Sequence, residues 1–392
     1  MPERHLKAAE GSEADEIPFN RPPLGGDEAE AAARTVFSTR VASCGPAGVR
    51  CERWLEDQTG AARVILTNSA TSALEMSMLL AGIRDGDEVI MPSFSFPSPA
   101  NAVALRGGVP VFVDVRPDTL NLDERLIEAA VTAKTAAILV VHYGGVASAM
   151  EEIQAIADTA GALVIEDAAH GLLASMGDRA LGSLGTFGAL SFHETKNVTS
   201  GEGGALLVND ERFVVRAEAV ADNGTDRARF LRGEVGAYRW IDVGSSFRMS
   251  EISAAVLAEQ LRRATEITER RLHVWNRYHA GFADSEKAGH VRLPQVPDGC
   301  RHNGHVYFLR TSAREIRDRL LSRLNEAGIQ AVRHYEPLHL APAAQKHAAV
   351  RHALPETEAA AEQILRLPLW PEMTDAMVDR VIAETVGALA DR

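Results

Sequence analysis

Residues 162–170 read ALVIEDAAH, a short apolar run that ends in two carboxylates and a histidine. An apolar run this short, with no polar alternation, fits a strand buried on both faces, as in a parallel sheet. The runs around it repeat the pattern. Arg63–Thr67, Glu88–Met91, Val109–Val113, Ala136–His142, Ala189–His193 and Ala205–Val208 read as further strands. Amphipathic stretches separate them: Thr71–Ala81, Pro99–Arg106, and segments beginning near Asp123 and Ala149. Alternation of this kind predicts an α/β fold, a large and mostly parallel sheet with helices on both faces.

After Ser250 the pattern changes. Ser250–Tyr278 reads as one long helix, straight or bent. A strand at His305–Arg310, a helix at Arg314–Glu326 and a strand at Gln330–Tyr335 follow, with closing helices at Pro355–Leu365 and Thr374–Ala390. These predict a smaller C-terminal α+β domain. The expected division is a disordered tail over 1–16, a large domain over 17–260 and a small domain over 261–392. A chain of 392 residues, at roughly 150 per domain, is consistent with two or three units.

Composition excludes some classes of function. The formal net charge is −13, which disfavours a nucleic-acid binder and an anionic membrane partner. Cys44, Cys51 and Cys300 are odd in number and form no CxxC pair, so no metal ribbon and no disulfide framework is indicated. The first residues, MPERHLKAAEGSEADE, lack the apolar core of a secretory signal, and no apolar run approaches the length of a membrane span. These features predict a soluble, cytoplasmic protein.

In an open α/β sheet, ligands bind at the carboxyl ends of the strands. After Arg63–Thr67 comes NSATS, residues 68–72, opening a helix. Small and hydroxyl residues there serve either as simple caps or as a phosphate site, because the first N–H groups of a helix are free. The carboxylates Glu166 and Asp167 need a cation, a helix cap or hydrogen bonds if buried. Of the five lysines, only Lys196 lies just beyond a core strand. Lysine forms Schiff bases, and burial lowers its pKa. Pyridoxal phosphate (PLP) needs this set: an anion site, an acid partner for its ring nitrogen, and an amine.

The stretches EDAAH (166–170), SFHETKN (191–197) and GEGGALLVND (201–210) resemble the DegT/DnrJ/EryC1/StrS family of sugar aminotransferases. The similarity runs from about Ile17 to the C-terminus. IPFNRPP (17–23), VDVRPDTLNLDE (113–124), VHYGGVASAM (141–150), FLRGEVGAYRWIDVGSSFRMS (230–250) and YEPLH (335–339) are most similar to the dTDP-4-amino-4,6-dideoxygalactose transaminase group. The resemblance implies a fold-type I PLP-dependent transferase. It would move an amino group from L-glutamate to C4 of a dTDP-linked 4-keto-6-deoxy hexose. A C3 sugar transaminase and a non-catalytic PLP-binding regulator are the alternatives. Dehydratases of the family carry His in place of the lysine, so Lys196 argues against that branch. No helix-turn-helix segment or basic face supports a DNA-binding regulator.

Carried over residue by residue, the resemblance implies a Schiff base on Lys196, with pyridoxamine phosphate formed between half-reactions. Asp167 matches the partner of the pyridine nitrogen. Ser69, Ala70 and Thr71 match the phosphate turn, with Ser191 adding a hydroxyl. Phe96 matches an aromatic over the cofactor ring, where a plain core phenylalanine is the other reading. His170 stands where many members have Gln, near the cofactor's phenolic oxygen, and adds a group able to titrate. Ser246 stands where many members have an Asn that reaches the neighbouring subunit's phosphate, which implies a homodimer with its site at the interface. Tyr335 and His339 match a segment near the sugar pocket, or serve the fold. Arg232, with Arg227, Arg229 and Arg239, suits a diphosphate, or forms a solvated charge run.

Overall fold

The computed structural model describes residues 16–390. The expected tail, apart from Glu16, lies outside the described residues. Seven strands of the main sheet come in chain order: β1 (Arg63–Thr67), β2 (Glu88–Pro92), β3 (Val109–Val113), β4 (Thr135–Val141), β5 (Leu163–Asp167), β6 (Phe187–Ser191) and β7 (Gly204–Val208). A second sheet is built from β8 (Val291–Arg292), β9 (Tyr307–Thr311) and β11 (Ile364–Leu367), while β10 (Ala349–Val350) returns to the main sheet.

The main sheet runs β1-β7-β6-β5-β4-β2-β3-β10. Pairing is parallel except that β7 is antiparallel to both β1 and β6. Alternate residues of each strand face opposite layers. Ile65 packs with Leu74 and Met78 in one layer, and Val64 and Leu66 with Leu55 and Leu257 in the other. Both faces are therefore covered by helices, which explains the uninterrupted apolar strands. Among the described residues no helix is long and apolar enough to cross a membrane.

The C-terminal half departs from the sequence-based expectation at three places. The long helix divides into Glu251–Arg262 and Ala264–Lys287. The break sits where Gln260 and Arg263 both reach Glu28 of the N-terminal helix Gly26–Phe37. Residues 330–335 form no strand and make only an isolated bridge, Val332 to Arg366. The helix expected over Pro355–Leu365 stops at Gln363, and the next four residues are β11. A run of four residues, ILRL, does not declare its own secondary structure. Here pairing with β9 decides it.

Contacts also cross the expected division at 260. Ile17 packs in the C-terminal apolar cluster with Trp275, Tyr278 and Leu365. The Trp370 indole donates to the carbonyl of Pro18. In return, β10 adds an edge strand beside β3.

One buried carboxylate organises the carboxyl edge of the sheet. Glu166, fully enclosed, accepts from the His142 ring at 2.8 Å and from the N–H groups of Gly182, Leu184 and Gly185 at 2.8, 2.6 and 2.5 Å. His142 Nδ1 accepts from the Ser148 N–H at 3.1 Å, so its Nε2 carries the proton given to Glu166. Neither a helix cap nor an arginine holds this residue. Glu166→Gln places an NH2 group against N–H donors whichever way the amide turns. Urea denaturation of that variant is expected to show a loss of about 2–3 kcal/mol.

Candidate active site

A cavity of about 370 Å3 opens at the carboxyl edge of the main sheet. It collects Ser69, Ala70, Thr71, Phe96, Asp167, His170, Ser191, Lys196 and Tyr335. All nine were singled out from the sequence. Ser69–Thr71 follow β1, Phe96 follows β2, Asp167 ends β5, and Ser191 ends β6 with Lys196 in the loop beyond it.

The anion cradle comes from the helix Ala70–Leu80. Ser69 is its N-cap, and its hydroxyl accepts from the Ser72 N–H at 3.1 Å. The N–H groups of Ala70 and Thr71 have no acceptor within the helix. They carry the positive end of its dipole. The Thr71 and Ser98 hydroxyls lie 2.7 Å apart and tie the cradle to the loop bearing Phe96. Close approach of β7 makes the cradle compact: a Cβ at Gly204 would sit 2.4 Å from the Ala70 nitrogen.

Asp167 is the alternate neighbour of Glu166, so its side chain faces away from the Glu166 network and lines the cavity. Its carboxylate accepts from the Ala169 N–H at 3.0 Å. Burial pushes its pKa above the ordinary range, against that hydrogen bond and the attraction of Lys196. Burial lowers the Lys196 amine to about 8, with Asp167 opposing the shift and Arg366 adding to it. A buried amine that sheds its proton near neutrality is suited to nucleophilic and acid–base work.

The opposite wall is aromatic. His170 lies against His305, ring centroids 4.1 Å apart and planes tilted by 30°. His170 Nδ1 accepts from the Gly144 N–H. His305 Nδ1 donates to Asn197 Oδ1 at 2.8 Å, because the Asn197 amide nitrogen is used on the Asn303 carbonyl. Burial holds both rings well below the usual histidine range. His170 therefore stays neutral and does not add the titration its residue type suggested. The Tyr335 and His334 rings are tilted by 30° with centroids 3.4 Å apart, and the Tyr143 hydroxyl meets His334 Nδ1 at 3.1 Å.

Three expected residues lie outside this cavity. His339 Nδ1 bonds the Ser93 hydroxyl at 2.8 Å, and its Nε2 meets Glu358 at 3.3 Å, so it closes the loop over β2. Arg232 is engaged by Glu218 and Glu234. Arg227 and Arg229 are likewise paired, with Asp222 and Glu234. Ser246 is exposed, and only its carbonyl is used, by the Asn68 amide.

Other lining residues escaped sequence reasoning: Phe19, Asn20, Ser95, Arg271, His305, His334 and Arg366. IPFNRPP held a signal for the first two. Arg366 directly follows the helix expected to end at Leu365, where no strand was expected.

The model of the DegT/DnrJ/EryC1/StrS aminotransferase family matches residues 23–386. This chain belongs to that family. The family is one of PLP-dependent sugar aminotransferases. One curated member, the spore coat polysaccharide biosynthesis protein SpsC of Bacillus subtilis (strain 168), is 33% identical over 374 residues, 93% of this chain and 95% of SpsC. Among solved family structures, the aminotransferase TlmJ of Streptoalloteichus hindustanus superposes with a TM-score of 0.87 at 31% identity, covering 95% of this chain and 99% of TlmJ. Spr1654 of Streptococcus pneumoniae, solved in its PMP (pyridoxamine phosphate) form, gives 0.88 at 26% identity, covering 95% and 99%.

The residues present fit the family's cofactor. A helix-start cradle can take its phosphate, a buried carboxylate its ring nitrogen, and an amine with lowered pKa its aldehyde. Cyanate labelling of the cofactor-free protein is expected to carbamylate Lys196 half-maximally near pH 8, since the free amine appears above its lowered pKa. Exposed lysines should still gain reactivity beyond pH 9. Peptide mass spectrometry reads both.

Proposed function

We propose that this chain transfers an amino group from L-glutamate to C4 of a dTDP-linked 4-keto-6-deoxy hexose, giving a 4-amino-4,6-dideoxy sugar. The observation that carries the aminotransferase reading is the joint placement of Lys196, Asp167 and the Ser69–Thr71 cradle on one cavity. The stretches from IPFNRPP to YEPLH support the C4 assignment through their similarity to that transaminase group. SpsC, by its name a polysaccharide biosynthesis protein, supports a sugar acceptor.

Ser69, Ala70, Thr71 and Ser191 would hold the cofactor's phosphate, and Phe96 would lie against its ring. Asp167 keeps a proton on the ring nitrogen by placing negative charge beside it. His170 presents its Nε2–H as a fixed donor toward the phenolic oxygen. When bound, the cofactor supplies the electron sink that the chain itself lacks. Lys196 Nζ would take the proton from the donor's α-carbon and, in the opposite half-reaction, would give a proton to C4 of the sugar as its ketone becomes an amine. Its lowered pKa lets it serve in both directions near neutral pH. The aromatic wall of Phe19, His334 and Tyr335 excludes water. Tyr335 stands toward the sugar. His339 and Arg232 reach the substrate only if their present partners yield.

A second copy of this chain fits the reading. Tyr238, Trp240, Ile241 and Val243 are all more than half exposed, on the segment that leads to Ser246. A homodimer covering this segment would bring Ser246 toward the neighbouring cradle.

Visible spectroscopy tests the reading. L-Glutamate should bleach the cofactor band, and dTDP-4-keto-6-deoxyglucose should restore it. NMR of the product then separates C4 from C3 amination. Lys196→Ala should keep the far-ultraviolet circular dichroism of the parent and lose multiple-turnover transfer. Retained turnover would remove Lys196 from its role. Sedimentation should show a dimer, and a catalytically active monomer would refute the shared site.

A further inference from the structure

The Lys196 loop is gripped from the C-terminal half by one short segment, residues 302–306. The helix Ala264–Lys287 clamps that segment from outside. Arg271, itself buried, donates to the Gly304 carbonyl at 3.1 Å and to the His305 carbonyl at 2.7 Å. The Trp275 indole donates to the Val306 carbonyl at 3.1 Å. Gly304 has a φ of +63°, and a Cβ there would stand 3.0 Å from the Arg271 backbone. Only glycine takes that bend so close to the helix.

The inner side of the segment reaches two loops of the large sheet. Asn303 Nδ2 donates to the carbonyls of His170 and Leu172 at 2.7 and 2.8 Å. The Asn303 carbonyl accepts from Asn197 Nδ2 at 2.9 Å. His305 Nδ1 donates to Asn197 Oδ1 at 2.8 Å. The Asn197 amide, buried, is therefore held at both ends and has one orientation.

Asn197 is the residue after Lys196. On the other side, the Lys196 N–H donates to the His193 carbonyl at 2.9 Å. The main chain of the lysine is thus pinned before and after it. The amine has no comparable tether: Asp167 and Arg366 bear on it through charge and not through a hydrogen bond. Where the amine stands is set by its loop. We propose that His305 is a positioning residue for Lys196: its Nδ1–H fixes the Asn197 amide, and the fixed Asn197 keeps the adjoining amine in the cavity beside Asp167. The kinetic consequence rests on the aminotransferase reading above; the placement of the amine does not.

Substitutions at 305 separate the hydrogen bond from the ring. His305→Asn keeps an N–H donor near the place of Nδ1, and His305→Phe keeps a ring without a donor. Asn197→Ala removes the acceptor. Cyanate labelling of the cofactor-free proteins reads the placement without turnover. The parent should label Lys196 half-maximally near pH 8. In H305F the half-point should rise toward that of exposed lysines, because a loosened amine regains water. H305N should keep the parent's half-point. An unmoved half-point in H305F, or a parent half-point already at that of exposed lysines, would overturn the proposal.

Kinetics of the cofactor-loaded enzyme read the consequence. At saturating L-glutamate, the rate of bleaching should fall at least about tenfold in H305F, since a misplaced amine slows the proton transfer. The half-saturating L-glutamate concentration should change by less than about threefold, and H305N should recover most of the rate. If His305 acts through Asn197, the H305F/N197A double variant should be no slower than N197A. Additive losses, or an H305N as slow as H305F, would overturn the positioning role. Circular dichroism checks folding, and should H305F not fold, His305→Gln replaces it, its amide standing where Nε2 was. If L-glutamate bleaches nothing in the parent, the donor assignment fails and the labelling alone decides the role of His305.

Discussion

The enclosed Glu166 carboxylate is the constraint from which the site follows. Its four donors come from the end of β4 through His142 and from the turn that feeds β6. A charge without water is tolerable only when its acceptor positions are filled. Filling them fixes the relative heights of β4, β5 and β6 at their carboxyl ends. Strand alternation then turns the next residue, Asp167, to the other side, into the cavity. Two adjacent carboxylates thus have opposite employments, one binding the scaffold and the other left for a ligand.

The antiparallel insertion of β7 is the second device. It brings Gly203 and Gly204 to the edge where the parallel strands end, directly under the helix start at Ala70. The absence of a Cβ lets backbone meet backbone there, so the anion cradle and the Lys196 loop share one small volume. The aromatic wall closes the same volume from the C-terminal sheet. Its histidines are neutral because burial outweighs any gain from charging. The charged groups Lys196, Asp167 and Arg366 share the cavity with these neutral rings.

Much of this was legible in the sequence. The seven core strands of the main sheet lie within two residues or so of where apolar runs place them, because a strand buried on both faces has little freedom in composition. Residues that follow those strands became the site, and the resemblance sharpened them to nine cavity residues. The C-terminal half was less legible. ILRL, residues 364–367, is compatible with a helix end or a strand, and only β9 beside it resolves the choice.

The sequence by itself determined the sheet, the strand-end positions of Ser69, Asp167 and Lys196, and the family. Local periodicity and short motifs carry that information, since burial and the helix start act on neighbouring residues. The tertiary structure decided which carboxylate is scaffold and which is free, that His170 stays neutral, and that Arg232 and His339 are already engaged. Those are properties of partners brought together from distant parts of the chain. Hydrogen-bond satisfaction and desolvation depend on who the neighbours are, and sequence spacing does not list them.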